Sequence, residues 1–314
     1  MIIVTGGAGF IGSNLVRGLN QKGIEDIMIV DNTKGNKSKI KNLNSLKFSE
    51  YSDKNDFLNQ LPLLKEKDIQ AIFHLGACSN TMETNKKYLM ENNYLYSKKL
   101  LNFCLENKIQ FIYASSASVY GNGDFGFEEK GSCENPLNNY ALSKFLFDKD
   151  VRKLTNLPSQ VVGIRYFNVY GPQENHKEKM ASAVYHFHNQ ILSEGKIKLF
   201  EGSENFLRDF IYVDDAVKTN LFFFEHPEIN GIFNCGTGKE ESFLKMGEIM
   251  TKLYNQDIKM EFTPFPENLS GKYQKFTKAD LTNLRKIGFD KDFTSLEEGI
   301  KKYVSILQNK NGFY

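Results

Sequence analysis

Short apolar runs, each ended by a glycine or a small polar residue, alternate along the first half of the chain with stretches of helical periodicity. Ile2 to Thr5 reads as a buried strand, and the pattern from Gly12 to Leu19 begins a helix. Ile27 to Val30 is the next strand, ending at Asp31, and Ala71 to Leu75 is another, closed by Gly76. A helix is predicted from about Asn93 to Glu106, then a strand from Phe111 to Ala114 that ends at Ser115 and Ser116. Val161 to Arg165 is a later strand, followed by a loop from Asn168 to His176. Apolar strands alternating with helices predict an α/β fold, a doubly wound parallel sheet covered on both faces.

Beyond Gly171 and Pro172 the pattern changes. Residues 172–205 read as helical and then irregular. Arg208 to Val213 looks like a strand entering a helix capped by Asp214 or Asp215. Gly231 to Gly236 returns to the main sheet, and residues 240–314 carry helices with one strand around Lys259 to Phe262. The expected organisation is a dinucleotide-binding domain over 1–171, rejoined at about 208–238, with a smaller substrate-binding lobe from 172–207 and 239–314. No internal repeat is seen, and the polar stretch from Lys34 to Lys47 is the one biased segment.

Composition narrows the function classes. The chain has 314 residues, 40% apolar and 25% charged, which is ordinary for a globular protein. A net charge of +2 with interspersed lysines and acids gives no basis for a nucleic-acid or membrane surface. None of the four cysteines has CxxC spacing and the five histidines lack HExxH spacing, so neither a redox dithiol nor a metal site is expected. Cys78, Cys104 and Cys235 lie in apolar segments and are expected to be buried thiols in a reducing compartment. The start resembles no signal peptide, and the longest apolar patches, such as Leu221 to Phe224, are too short to span a bilayer. A cytoplasmic location follows as the expectation.

Two motifs carry the chemistry. Gly6, Gly9 and Gly12 follow the first strand and open a helix, the arrangement that lets backbone approach a pyrophosphate at a helix N-terminus. Asp31, at the end of the second strand, suits the ribose hydroxyls of NAD, whereas Lys37 and Lys54 could neutralise the 2′-phosphate of NADP. The second motif is Tyr140 with Lys144 one helical turn later and Ser116 placed 24 residues upstream. A phenol is a poor base at pH 7 unless a nearby cation lowers its pKa, which the lysine is expected to do while the serine holds the substrate oxygen. That set can take a proton from an alcohol while a nicotinamide accepts hydride. Tyr94 and Lys98 show the same spacing, but no serine pair precedes them at a strand end, so they read as one face of an ordinary helix.

With the glycine loop and Arg165 to Pro172, this set resembles the extended short-chain dehydrogenase/reductase family, over the whole chain. That family contains sugar-nucleotide epimerases, dehydratases and reductases. Its dehydratases place an Asp-Glu pair after the catalytic serine region, where this chain has Ser116 to Tyr120 and no acid. Elimination of water is therefore not expected and redox-neutral epimerisation leads. His74 to Ser79, Tyr140 to Phe147, Gly171 to Ala181, Phe200 to Phe206 and Gly271 to Asn283 are similar to the ADP-L-glycero-D-manno-heptose 6-epimerase family.

The resemblance implies a second base, Lys177, beside Tyr140, because a ketone turned over in the pocket presents its oxygen to a different partner. It implies NADP, with cofactor contacts from Phe10, Ile11, Asp31, Asn32, Lys37, Lys54, Leu75, Gly76, Ala77, Cys78, Ser79, Asn92, Lys144, Val169 and Lys177. Substrate contacts are implied at Asn168, Lys179, His186, Phe200, Glu201, Gly202, Ser203, Arg208 and Tyr273. Arg208 is chemically suited to a diphosphate through its planar donors, or else pairs with Asp209 or Asp214. Lys179 stands where serine is common and Leu75 where glutamate is usual. Homo-oligomers are typical. The rival readings are another nucleotide-sugar enzyme, such as a UDP-hexose 4-epimerase, and a catalytically silent NADP-binding regulator.

Overall fold

A computed structural model describes residues 1–34, 36–254, 257–265 and 274–314. The strands of the first half are β1 (Ile2–Thr5), β2 (Ile27–Asp31), β3 (Glu50–Asp53), β4 (Ala71–His74), β5 (Gln110–Ser116) and β6 (Val161–Tyr166). The shorter strands that follow are β7 (Asn168–Tyr170), β8 (Lys196–Phe200), β9 (Leu207–Arg208) and β10 (Phe210–Tyr212). β11 (Gly231–Cys235), β12 (Glu241–Ser242) and β13 (Lys259–Thr263) complete the described strands. Seven of them form one parallel sheet in the order β3-β2-β1-β4-β5-β6-β11.

Period-two alternation along these strands divides two cores. Ile2, Val4, Ile27, Ile29, Phe73, Ile112 and Val162 face one side, where α1 (Phe10–Gln21) brings Leu15, Val16 and Leu19. Ile3, Met28, Val30, Ile72, Phe111 and Tyr113 face the other. There they meet α3 (Lys54–Leu64) and α5 (Tyr96–Asn107), which follow the short α2 (Lys37–Lys41) and α4 (Lys86–Leu89). α6 (Asn139–Val151) adds Phe147 and Val151 to this second layer. Burying a side chain of this size stabilises by about 1.5–3 kcal/mol, so a one-residue slip in any strand would forfeit a whole face.

A third core joins α7 (Ala183–Glu194), α9 (Phe243–Thr251) and α11 (Leu296–Lys310) over β8 and β10, through Val184, Phe187, Ile197, Met246, Ile300 and Tyr303. Between them in sequence lie α8 (Val213–Glu225), which packs with Val217 and Leu221 in the first core, and α10 (Thr282–Lys286).

The structure corrects several sequence expectations. Among the described residues the chain rejoins the main sheet at β11 alone, because β10 pairs with β7 in a separate two-stranded sheet. Residues 172–205 include a regular strand, β8, whose alternation is blurred by lysines that point outward and pair with Glu194 and Glu261. Neither aspartate caps α8: its N-cap is Tyr212, and Asp215 accepts from the backbone N–H of Thr294 at 2.7 Å. The helix expected from Asn93 begins earlier, with a π-helical turn over Met90–Leu95 before α5. Cys78 is half-buried rather than enclosed, whereas Cys104, Cys133 and Cys235 are buried thiols. No helix among the described residues is long and apolar enough to cross a membrane.

Candidate active site

A cleft of about 590 Å³ opens at the C-terminal ends of β1, β2, β4, β5 and β6, where the strand order reverses and a doubly wound sheet takes its ligands. One wall is the glycine loop. Gly6 has φ +71, and a Cβ there would lie 2.7 Å from the backbone N of Gly76. A Cβ on Gly12 would lie 2.1 Å from the carbonyl of Gly6. Both positions need glycine, and the backbone that results places the start of α1 against the cleft. The helix has no side-chain cap and no acid in its first turn, so Phe10, Ile11 and Gly12 present N-terminal N–H groups with the positive end of the dipole. This cradle fits the pyrophosphate of a nicotinamide dinucleotide.

Asp31 is buried beside it. Its carboxylate accepts from the N–H groups of Ala8 at 2.9 Å and Asn32 at 2.6 Å, and from Lys39 Nζ at 2.5 Å. Lys37, two residues earlier on α2 and so about half a turn round, is exposed and is not part of the cleft lining. The helical twist of α2 turns Lys39 inward, so Lys39 rather than Lys37 is the lysine that meets Asp31 and lines the cleft. Lys54 reaches Asn92 Oδ1 at 2.6 Å, and both line the cleft. Asn92 stands in the π-helical turn, a bulge of the kind that recurs at functional sites. The next residue, Asn93, is buried and clamps Cys78 through its N–H and carbonyl at 2.9 and 3.0 Å and reaches Ser143 of α6 at 3.2 Å. The turn thereby fixes the Leu75–Ser79 wall, all of which lines the cleft with Val169.

The candidate reacting groups converge at one end. Ser116 ends β5, while Tyr140 and Lys144 share a face of α6, capped by Asn138 accepting from Ala141 N. All three line the cleft with Lys177. Burial pushes the Tyr140 phenol up, partly opposed by its hydrogen bond to Ser116. Burial brings Lys144 down to about 8, with the Asp148 carboxylate opposing. The expected direct effect of Lys144 on Tyr140 is not what this arrangement shows. The lysine ammonium donates to the carbonyl of Ala114 at 2.7 Å, and the Ser116 hydroxyl is the group that eases the phenol. Lys177, over the Phe10 ring at 5.0 Å, is also held below the ordinary lysine range by burial, against the pull of Glu174. A depressed lysine is what a base near neutral pH requires. The other tyrosine–lysine pair, Tyr94 and Lys98, instead forms an ion-pair cluster with Asp150.

The residues expected to touch substrate lie outside this lining. Asn168 and Lys179 are exposed, and His186 is half-buried beside Tyr185. Its near neighbour His188 is turned into the core and bonds Tyr254 at 2.6 Å. Phe200 ends β8, Glu201 and Gly202 form the turn after it, and Ser203 is buried. Arg208 is buried over the Phe243 ring at 6.0 Å and donates to the carbonyl of Leu207, while Asp209 and Asp214 are engaged by Thr237 and Arg17. Tyr273 falls outside the described residues. Sequence reasoning missed His176, Tyr88 and Met180 at the cleft, and a shift of two places from Lys37 would have found Lys39.

The NAD dependent epimerase/dehydratase family matches residues 2–236, which span the sheet, the glycine loop and the Ser116–Tyr140–Lys144 set. The chain belongs to this family. It works with a nicotinamide dinucleotide. ADP-L-glycero-D-manno-heptose-6-epimerase of Brachyspira hyodysenteriae is 56% identical over 318 residues, covering 100% of this chain and 99% of that protein. The crystal structure of Helicobacter pylori ADP-L-glycero-D-manno-heptose-6-epimerase aligns with a TM-score of 0.85 at 32% identity, covering 98% of this chain and 96% of that one. UDP-N-acetylglucosamine 4-epimerase from Methanobrevibacter ruminantium aligns with a TM-score of 0.83 at 28% identity, with 98% of each chain covered.

Proposed function

We propose that the protein inverts C6 of ADP-D-glycero-D-manno-heptose to give the L-glycero epimer, by transient oxidation to the ketone and re-reduction, supplying heptose for lipopolysaccharide. The observation that carries the reading is the convergence of Ser116, Tyr140, Lys144 and Lys177 on one cleft beside the glycine cradle, in a chain 56% identical to a relative of that name. A bound nicotinamide supplies the reversible hydride acceptance. Ser116 donates to and orients the reacting oxygen. Tyr140 takes the hydroxyl proton from one epimer and returns it, with the Lys144 charge favouring the phenolate once a substrate oxygen bridges them. Lys177 does the same for the oxygen of the opposite epimer.

NADP is the proposed form, because Lys39 and Lys54 add two cations at the Asp31 end of the cleft. A Lys39→Met variant should lose affinity for NADP roughly tenfold relative to NAD, which is about 1.4 kcal/mol; equal losses for both would assign the charge elsewhere. Asn168, His186, Phe200 to Ser203 and Arg208 are proposed to meet the ADP-heptose from the second lobe, residues 172–207 and 239–314. A cytoplasmic homo-oligomer is part of the same reading, and light scattering on the purified protein tests the assembly.

The deciding experiment incubates the protein, without added cofactor, with ADP-D-glycero-D-manno-heptose and resolves the C6 epimers. Formation of the L-glycero epimer supports the reading. If none forms after NADP and NAD are each supplied, the heptose assignment fails. Turnover of UDP-sugars in its place would select the 4-epimerase alternative.

A further inference from the structure

The segment that carries Lys177 has an unusual backbone and an unusual set of anchors. Gln173 is buried with φ +75, in the left-handed region, and Glu178 follows at φ 48 and ψ −120. A non-glycine residue holds such angles only where its surroundings dictate them. Here the anchors come from two places distant in sequence. Gln173 N–H donates to the carbonyl of Gly312 at 2.8 Å, and Asn175 Nδ2 donates to the carbonyl of Asn311 at 2.9 Å. Both acceptors belong to the turn that follows α11, where Asn311 and Gly312 also have positive φ.

The second anchor is Asn42, just after α2 and fully buried. Its Nδ2 donates to the Gln173 carbonyl at 3.0 Å and to the Ala8 carbonyl at 3.0 Å. Asn14 repeats the arrangement, with Nδ2 donating to the carbonyls of Phe10 at 2.9 Å and Pro172 at 3.0 Å. Two buried amides therefore bridge the glycine loop to the Lys177 segment. A loop anchored only for stability needs no particular partner. This one is tied to the carbonyls of the same backbone whose N–H groups face the cleft, and Lys177 itself closes the ring of contacts over Phe10.

We propose that Asn42 and the Asn311–Gly312 turn are positioning residues for Lys177: they fix its segment to the glycine loop, so that the second base keeps register with a cofactor bound there. The inference rests on the reading of Lys177 as a base. The titratable groups around it are Glu174 on its own segment, whose carboxylate also accepts from Ser182, and His176, held neutral by burial and by the charges of Lys39 on α2 and Lys177. Burial lowers Lys177, so a loosened segment that admits water should let its pKa rise.

The test uses Gly312→Ala, whose Cβ would lie 2.9 Å from Asn175 Oδ1 at a φ of +82, and Asn42→Asp, which removes the shared donor. Epimerisation is followed in both directions across pH, with cofactor affinity and thermal unfolding measured beside it. The expected result for Gly312→Ala is unchanged cofactor affinity, a fall in kcat of roughly tenfold or more, and an upward shift of the pH limb that Lys177→Met abolishes. Asn42→Asp should move the same limb. Parent kcat and an unmoved limb in both folded variants would overturn the proposal. Lys177→Met separates the two failures. Full activity in that variant removes the second-base reading and the positioning role with it. Lost activity there, with parent behaviour in the other two, removes the positioning role alone.

Discussion

At the scale of single residues, the proposed turnover depends on Tyr140. Its phenol is raised by burial and eased by Ser116, so it must first give up its own proton before the phenolate can take the hydroxyl proton of substrate. Tyr140→Phe leaves the ring packed and removes only the hydroxyl, so kcat should fall by roughly 10²–10⁴-fold while cofactor remains bound. Full turnover in that variant would take Tyr140 out of the reaction. These residues were legible in the sequence because the chemistry demands local spacing: a turn of helix for Tyr140 and Lys144, a strand end for Ser116. Lys39 was not, because which lysine of the polar stretch faces Asp31 depends on where the short α2 begins, and hydrophobic periodicity does not mark that point.

At the scale of elements, α6 must hold Tyr140 and Lys144, the two groups of the proposed reaction, against the end of β5. The device is a buried charge cluster. Asp148, on the same face of α6 two turns beyond Tyr140, accepts from Tyr113 at 2.9 Å, Ser115 at 2.8 Å and both Nε and an Nη of Arg165, the latter at 2.7 Å. Glu134 completes it by accepting from Arg165 and Arg152. Arg165 is wholly enclosed, and its pKa is raised by Asp148 and Glu134 against the cost of burial. Removing Asp148 leaves the enclosed Arg165 with Glu134 alone and leaves the Tyr113 and Ser115 hydroxyls without their acceptor. Asp148→Ala should therefore lower unfolding stability by about 3–5 kcal/mol, read from urea midpoints. A loss under about 1 kcal/mol would mean that the cluster is not a structural anchor. The sheet strands beneath were legible because burial on both faces leaves continuous apolar runs. The π-helical turn and the separate β7–β10 pair were not, since both are set by what packs around them rather than by local pattern.

At the scale of the whole molecule, the buried histidines couple folding to pH. His74 joins β1 to α5 through Thr5 at 2.6 Å and Ser97 at 2.8 Å, and burial with the Lys144 charge lowers it to about 3. His176 is lowered to about 4 by burial with Lys39 and Lys177. Their folded values lie below the unfolded value near 6.5, so the unfolded chain takes up protons first as pH falls. Their contribution is present above about pH 6.5 and is lost as pH drops toward 4 and then 3. The urea midpoint should be lower at pH 5 than at pH 7, with a shallower dependence in His74→Gln; equal midpoints in the parent would refute the linkage. The cradle, the catalytic helix and the Lys177 segment act together only if the reaction at C6 is a hydride removal and return. That is tested most directly with substrate carrying deuterium at C6, turned over to equilibrium in ordinary water. Deuterium should stay at C6 in the inverted product, because a transferred hydride does not exchange with solvent. Replacement of the label by solvent hydrogen would show that carbon loses a proton instead, and would contradict the roles given to Tyr140 and Lys177.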